Sequence, residues 1–294
     1  MQSLTDIRAM LAERGLRPRK RYGQNFLHDQ NKIRMLIDAA AIEPGEIVLE
    51  VGPGTGALTE ALLEAGAQVF ACEIDRDLAA IVERRLAEHL PKSVHAGLLM
   101  LIVGDCLEHD RRLNPSIVEH LRGRPFKLVA NLPYNAASPL ITTLLIEHDN
   151  CRGQFVTIQR EVADRLLAQP STKAYGPLSI IVQAMASVRR ITTLPPSCFW
   201  PEPQVDSAMV AILPSPSGRA GGGDEINEMV SASGGRDFAQ FITQLFTKRR
   251  KQLGTILGRH HLNWPAGVTA RLRPEALTVE QLVRLWTTTT RQDS

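Results

Sequence analysis

From Ile47 to about Gln159, short apolar runs alternate with stretches of helical spacing. Ile47-Val48-Leu49-Glu50-Val51 reads as a strand. Thr55 to Ala65 then carries Leu58, Leu62 and Leu63 at helical spacing, and Gly66 stops it. Gln68 to Glu73 is the next strand, Leu78 to Leu90 a helix and Leu99 to Val103 a strand. Phe126 to Asn131 is a further strand, with a helix from about Ser138 to Glu147. Gln154 to Gln159 reads as a fifth strand and Glu161 to Ala168 as its helix. Strands that alternate with helices imply parallel βαβ units and a sheet covered on both faces. Arg190–Thr193 and Met209–Leu213 predict an antiparallel pair at one edge, which brings the α/β sheet to seven mostly parallel strands.

The pattern breaks between Pro214 and Arg236, where Pro214, Pro216, six glycines and several serines occur. Such a composition predicts a flexible linker over 214–236. Beyond it, Phe238, Phe241, Ile242, Leu245 and Phe246 return at helical spacing, and Thr278 with Gln281 forms a capping box ahead of Leu282 and Leu285. The expected organisation is a catalytic domain over 1–213 and a small helical domain over 237–294.

Composition adds what the periodicity leaves out. The chain has 294 residues, 44% hydrophobic and 22% charged, which is ordinary for a globular protein. No apolar run reaches the length of a membrane span, and residues 1–11 lack the apolar stretch of a secretory signal, so a cytoplasmic protein is expected. Cys72, Cys106, Cys151 and Cys198 are scattered without a C-x-x-C pair and read as buried thiols. No His/Cys/Asp set has metal-ligand spacing. Net charge is +3, but residues 1–34 carry +5, residues 35–235 carry −8 and residues 236–294 carry +6. An acidic body with basic ends points to a polyanionic partner held at the ends.

Two segments carry the chemistry. Glu50-Val51-Gly52-Pro53-Gly54-Thr55-Gly56 joins a strand to a helix, and its alternate glycines let a ligand approach the backbone. Glu73 ends the second strand and can accept hydrogen bonds from ribose hydroxyls. Asp105 follows the third and suits an adenine amine, and Asn131 ends the fourth. The G-x-G-x-G spacing, with no Lys after the turn, favours S-adenosylmethionine over a nicotinamide or a P-loop nucleotide. In Asn131-Leu132-Pro133-Tyr134 the Asn amide oxygen and the adjacent carbonyl can both accept from an exocyclic amine. Pro133 fixes the backbone and Tyr134 offers a stacking ring. Phe199, in Cys198-Phe199-Trp200-Pro201-Glu202-Pro203, is a candidate second stacking face.

These segments occur in a longer ordered series. Tyr22-Gly23-Gln24-Asn25-Phe26-Leu27, the glycine loop and Asn131–Asn135 are followed by Gln159–Leu166 and Lys173–Ser179. Phe199-x-Pro201-x-Pro203-x-Val205-Asp206-Ser207-Ala208 comes next, then Phe246-x-Lys248-Arg249-Arg250-Lys251-x-Leu253. Over about residues 20–290 the series resembles the bacterial small-subunit ribosomal RNA adenine dimethyltransferases of the kasugamycin-resistance type (RsmA/KsgA). The resemblance implies a Rossmann-like class I methyltransferase whose catalytic domain opens with a cofactor-covering segment, and a C-terminal helical domain that binds RNA. It implies S-adenosylmethionine as cofactor, contacted by Asn25, Leu27, Gly52, Gly54, Glu73, Asp105 and Asn131. The substrate implied is 16S rRNA within the 30S subunit or its precursor, dimethylated on the N6 amines of two adjacent adenosines of the 3′-terminal hairpin during ribosome biogenesis. Asn131, Leu132, Pro133, Tyr134 and Phe199 would surround the target base. Arg19, Lys20, Arg21, Lys248, Arg249, Arg250 and Lys251 would meet RNA phosphate. A monomer is expected. The alternatives are a large-subunit rRNA methyltransferase of the macrolide-resistance kind, a ribosome-assembly or transcription-factor-like binding protein, and a nicotinamide oxidoreductase. The last is disfavoured by the glycine spacing.

Overall fold

The structure is a computed structural model that describes residues 2–214, 230, 234–258 and 263–290. Nine strands are present among these residues: β1 (Phe26–Leu27), β2 (Ile47–Val51), β3 (Gln68–Glu73), β4 (Leu99–Val103), β5 (Phe126–Asn131), β6 (Cys151–Gln159), β7 (Ala186–Leu194), β8 (Phe199–Trp200) and β9 (Ser207–Pro214). Seven of them form one sheet in the order β4-β3-β2-β5-β6-β9-β7, and the first five run parallel. The two late strands are neighbours at one edge, where the sequence placed them.

The chain divides into two compact units, one of residues 1–144, 148–163 and 190–211, the other of 145–147, 164–189 and 212–294. In the first unit every residue of β2 is buried, as both faces of a parallel sheet must be. Ile33 and Leu36 from the helix Gln30–Ala40, Leu58 and Leu62 from Ala57–Glu64, and Val82 and Leu86 from Arg76–His89 are buried with Val48, Val69, Ala71 and Val129 of the strands. Each such leucine contributes about 2 kcal/mol by leaving water.

Strand order reverses between β2 and β5. The crossover from β2 proceeds outward through β3 and β4, and the chain then returns to β5 on the other side of β2. In an open sheet this switch point leaves a crevice at the carboxyl ends of the strands, where ligands sit. Gly52, Glu73, Asp105 and Asn131 all fall at such ends.

The N-terminal segment, expected to cover the cofactor, folds into a helix and a two-residue strand that the periodicity did not indicate. The helix Leu4–Glu13 starts at a Ser3/Asp6 capping box and buries Ile7 and Leu11 with Leu78, Ile81 and Phe26. β1 then pairs antiparallel with β8, with Phe26 opposite Trp200 and Leu27 opposite Phe199. Two-residue strands carry no periodicity, so pattern alone could not reveal this pair.

The second unit is helical but draws more chain than residues 237–294. The helix Pro177–Met185 contributes Ile180, Ile181, Ala184 and Met185 to a core with Phe238, Ile242, Leu245 and Trp286. The division therefore departs from the sequence boundaries because an apolar helix inside the expected catalytic domain packs with this later core. Phe238 and Trp286 meet at 5.3 Å between ring centroids. Tyr175, fully buried, donates its hydroxyl to the Leu277 carbonyl at 2.9 Å. The Thr278–Gln281 capping box is present, with both reciprocal hydrogen bonds. Of the linker expected at 214–236, residues 215–229 and 231–233 lie outside the described residues. Val230 belongs to the core, and a helix begins at Gly235. No helix of the described residues is long and apolar enough to cross a membrane.

Candidate active site

A cavity of about 560 Å³ occupies the switch point. Asn25, Leu27, Gly52, Gly54, Glu73, Asp105, Asn131, Leu132, Pro133 and Tyr134 all line it. Its size is within the range of small-molecule and cofactor sites.

The glycine loop owes its residues first to protein contacts. Gly54 has φ +59°, and a Cβ there would come within 2.8 Å of the Phe26 ring. Gly52 has φ +74°, and its Cβ would press to 3.3 Å on Pro133. Side chains at these positions would drive the loop away from the N-terminal segment and from the Asn131–Tyr134 loop.

Glu73 is buried at the end of β3. Its two carboxylate oxygens accept from the Gly54 N–H at 3.1 Å and the Asp75 N–H at 3.0 Å, which fixes its orientation and leaves lone pairs for a ligand hydroxyl. Burial raises its pKa, against the pull of these backbone hydrogen bonds. Asp105 is exposed. Its side chain accepts from the Leu107 N–H at 3.1 Å, and its carbonyl accepts from Asn114 Nδ2 at 2.8 Å.

Asn131 ends β5. Its Nδ2 donates to the Asn25 carbonyl at 2.9 Å. A carbonyl can only accept, so the amide nitrogen must face Asn25 and the amide oxygen is left for another donor. Tyr134 opens the helix Tyr134–Glu147, which starts a turn earlier than the periodicity indicated and takes in Pro139. The Tyr134 hydroxyl is 3.0 Å from Ser207 Oγ. Burial raises the phenol pKa, and the bond to Ser207 works the other way.

Phe199 departs from its expected place. It is 1% exposed, belongs to the hydrophobic core and does not line the cavity. Successive side chains of a strand point to opposite faces, so in β8 it is the next residue, Trp200, that reaches solvent.

Arg19 also has another partner. Its guanidinium bridges Asp75 at 2.8 Å and Asp77 at 2.6 Å, its N–H donates to Gln24 Oε1, and Gln24 Nε2 donates to Asp75. Gln2 and Thr55 exchange two further hydrogen bonds, at 2.6 and 2.8 Å. The N-terminal segment, whose residues Tyr22 to Leu27 line the cavity, is thereby tied to Thr55, Asp75 and Asp77. Lys20 and Arg21 are exposed, with Arg21 over the Tyr22 ring at 4.5 Å. In the second unit Lys248, Arg250 and Lys251 are exposed, whereas Arg249 clips Glu275 at 2.8 Å.

Three contributors were missed by the sequence reading. Ser207 and Gln24 act through side-chain partners that spacing does not reveal. Glu50 did leave a signal, an acid inside the apolar run Ile47–Val51. It is fully buried, lines the cavity, and one carboxyl oxygen has no hydrogen-bond partner among the described residues.

The match to the family model for ribosomal RNA adenine dimethylase spans residues 15–289. The chain belongs to the ribosomal RNA adenine dimethylase family. It is therefore an enzyme of ribosomal RNA adenine dimethylation, with RNA as its substrate class. A relative from Chromobacterium violaceum, named ribosomal RNA small subunit methyltransferase A, is 38% identical over 276 residues, covering 91% of this chain and 94% of the relative. The fold is shared with a dimethyladenosine transferase from Plasmodium falciparum, at TM-score 0.70 and 23% identity over 91% of this chain and 98% of that one. It is also shared with the 23S rRNA methyltransferase ErmE, at TM-score 0.59 and 23% identity over 90% of this chain and 99% of that one.

Proposed function

We propose that this dimethylase uses S-adenosylmethionine to methylate the N6 amines of two adjacent adenosines in the 3′-terminal hairpin of 16S rRNA. Its substrate on this reading is the cytoplasmic 30S subunit or its precursor, and it acts as a monomer. The observation that carries the chemistry is the orientation of Asn131, which lines a cofactor-sized cavity with its amide nitrogen held by Asn25 and its amide oxygen left to accept.

The cavity suits the cofactor. Glu73 and Asp105 line it, so a cationic sulfonium ligand is complemented where a pyrophosphate would meet carboxylates. When bound, S-adenosylmethionine supplies an electrophilic methyl group. Glu73 would hold the ribose hydroxyls and Asp105 the adenine. Asn25, Leu27, Gly52 and Gly54 would enclose the remainder.

An adenine N6 has its lone pair delocalised into the ring. The Asn131 amide oxygen and the following backbone carbonyl accept its two hydrogens, draw it towards tetrahedral geometry and stabilise the positive charge that develops on it. Tyr134 stacks on the base, which leaves its own stack to enter the site. The methylated ammonium is acidic enough to lose its proton to water, so no strong base is needed. Residues within 1–213 carry this chemistry. Lys248, Arg250 and Lys251 of the helical residues 237–294, with Lys20 and Arg21, meet phosphate.

The small-subunit assignment is supported by the relative named for that subunit, which is aligned over nearly its whole length. It is tested by methyl transfer from labelled S-adenosylmethionine to unmethylated 30S particles, to 50S precursors and to a mixture without RNA. Dimethyladenosine is expected from the 30S particles alone. Label in the 50S precursors would keep the mechanism and overturn the substrate. No transfer with cofactor bound would leave a binding factor.

A further inference from the structure

The Asn131–Tyr134 loop borders a second concavity in the same unit. An open groove of about 1150 Å³ is lined by Arg8, Arg17 and Lys20 of the N-terminal segment and by Trp200, Glu202 and Val205 of β8 and the loop that follows it. Gly23, Gln24, Asn25 and Tyr134 line both the groove and the cofactor cavity, so the two spaces meet at the proposed stacking ring.

The groove is cationic and has a flat surface within it. Arg8, Arg17 and Lys20 are exposed, and Glu202 is the one acid among the lining residues. Arg8 lays its guanidinium 5.5 Å from the centre of the Trp200 ring. Phe26 stacks on the same ring at 6.3 Å and 27°, and Phe26 is itself buried beneath the N-terminal helix. Trp200 is therefore held in place, with a planar cation layered on it. Unpaired RNA strands are gripped by cations on phosphate and by aromatic or guanidinium planes on which bases stack. A base drawn out to reach Tyr134 leaves neighbours on the same strand that need such a surface.

We propose that this groove binds the single-stranded nucleotides adjoining the target adenosine, with Arg17 and Lys20 on phosphates and the Arg8–Trp200 shelf under a flanking base. The proposal rests on the RNA reading above and extends it to two residues, Arg8 and Trp200, that the catalytic loop does not include. The shelf is a positioning surface and touches no reacting atom.

The test uses the full chain and needs no turnover. A short single-stranded RNA with adjacent adenosines is titrated into wild type, Arg8→Gln/Arg17→Gln and Arg8→Lys across a range of salt concentrations, with S-adenosylmethionine binding measured in parallel. The double variant is expected to bind the RNA about tenfold more weakly. Its dependence of log affinity on log salt should be shallower by about 0.7 for each phosphate that is no longer neutralised. Cofactor affinity should stay at the wild-type value. Arg8→Lys keeps the charge and loses the plane, so it should show the wild-type salt slope but a weaker affinity. Wild-type affinity in Arg8→Lys would overturn the shelf. Equal affinity and slope in wild type and double variant would overturn the groove, and a groove built for a protein segment would give that result. Wild-type transfer to 30S particles, measured separately, decides the ribosomal reading: it can succeed while the groove fails, and the reverse.

Discussion

Asn131 and Asn25, 106 residues apart in the chain, are joined by a single 2.9 Å hydrogen bond from the side-chain amide of one to the backbone carbonyl of the other. On the proposed mechanism, the bond decides which end of the Asn131 amide faces the reacting amine. Asn131→Ala is expected to keep binding cofactor and to lose turnover by about a hundredfold or more, the scale of removing one preorganised polar group from a transition state. Asn131→Asp should lose as much. A carboxylate cannot donate to Asn25, so its charge faces the carbonyl and its geometry is no longer held. Single-turnover methyl transfer beside cofactor calorimetry checks both. Full turnover in Asn131→Ala would remove the residue from the mechanism.

Tyr134 and Ser207 make a second testable pair. Ser207 is fully buried and its hydroxyl lies 3.0 Å from the Tyr134 hydroxyl. Ser207→Ala leaves a half-buried phenol without that partner, at a cost of about 1 kcal/mol, while Tyr134→Phe removes both the group and the need. The double variant should therefore be no less stable than Ser207→Ala alone, and in turnover the two changes should combine less than multiplicatively. If the losses simply multiply, Ser207 does not act through Tyr134.

Arg19 separates two roles for the basic N-terminal residues. Its charge is already engaged by Asp75 and Asp77, and the Arg19–Gln24–Asp75 links hold the cavity-lining N-terminal segment in place. Arg19→Gln is expected to speed cofactor dissociation several-fold and to raise the KM for S-adenosylmethionine, with the KM for RNA little changed. Stopped-flow cofactor release and steady-state kinetics on both substrates would show it. A raised RNA KM with unchanged cofactor release would return Arg19 to the phosphate contacts expected from sequence.

The contrast between Arg19 and Glu73 shows what a sequence can disclose. Glu73 sits at the end of an apolar run whose period places it, and the glycine loop fixes the neighbouring strand end, so backbone topology brings them to one crevice. The site is legible because its residues are tied to strand ends. Arg19 belongs to a segment without periodicity, and its partners lie 56 and 58 residues away. Its charge could be counted but not its partners. Phe199 fails for a related reason: its motif fixes the segment, while the one-residue alternation within β8 decides whether Phe199 or Trp200 reaches solvent. The helix Pro177–Met185 could be seen as apolar chain only, and which core it joins depends on packing with residues far along the sequence.

Glu50 gives the protein a pH dependence with a definite sign. Burial, reinforced by the Glu73 charge, pushes its carboxyl up to about 8, and the Thr59 hydroxyl opposes this only in part. Near neutral pH the folded chain therefore keeps a proton on Glu50 that the unfolded chain, at the ordinary value of 4.5, has released. The stabilisation is complete below about 4.5 and is lost as pH rises through about 8, with a slope approaching about 1.4 kcal/mol per pH unit between them. Glu50→Gln keeps the shape of the neutral acid and cannot ionise. Below about pH 4.5 the two proteins should differ by a constant amount. From about pH 5 to 8 the melting temperature of wild type should fall relative to Glu50→Gln. A difference that stays constant across that interval would mean that Glu50 is already ionised in the folded state and that the cavity holds a buried carboxylate instead of a carboxylic acid.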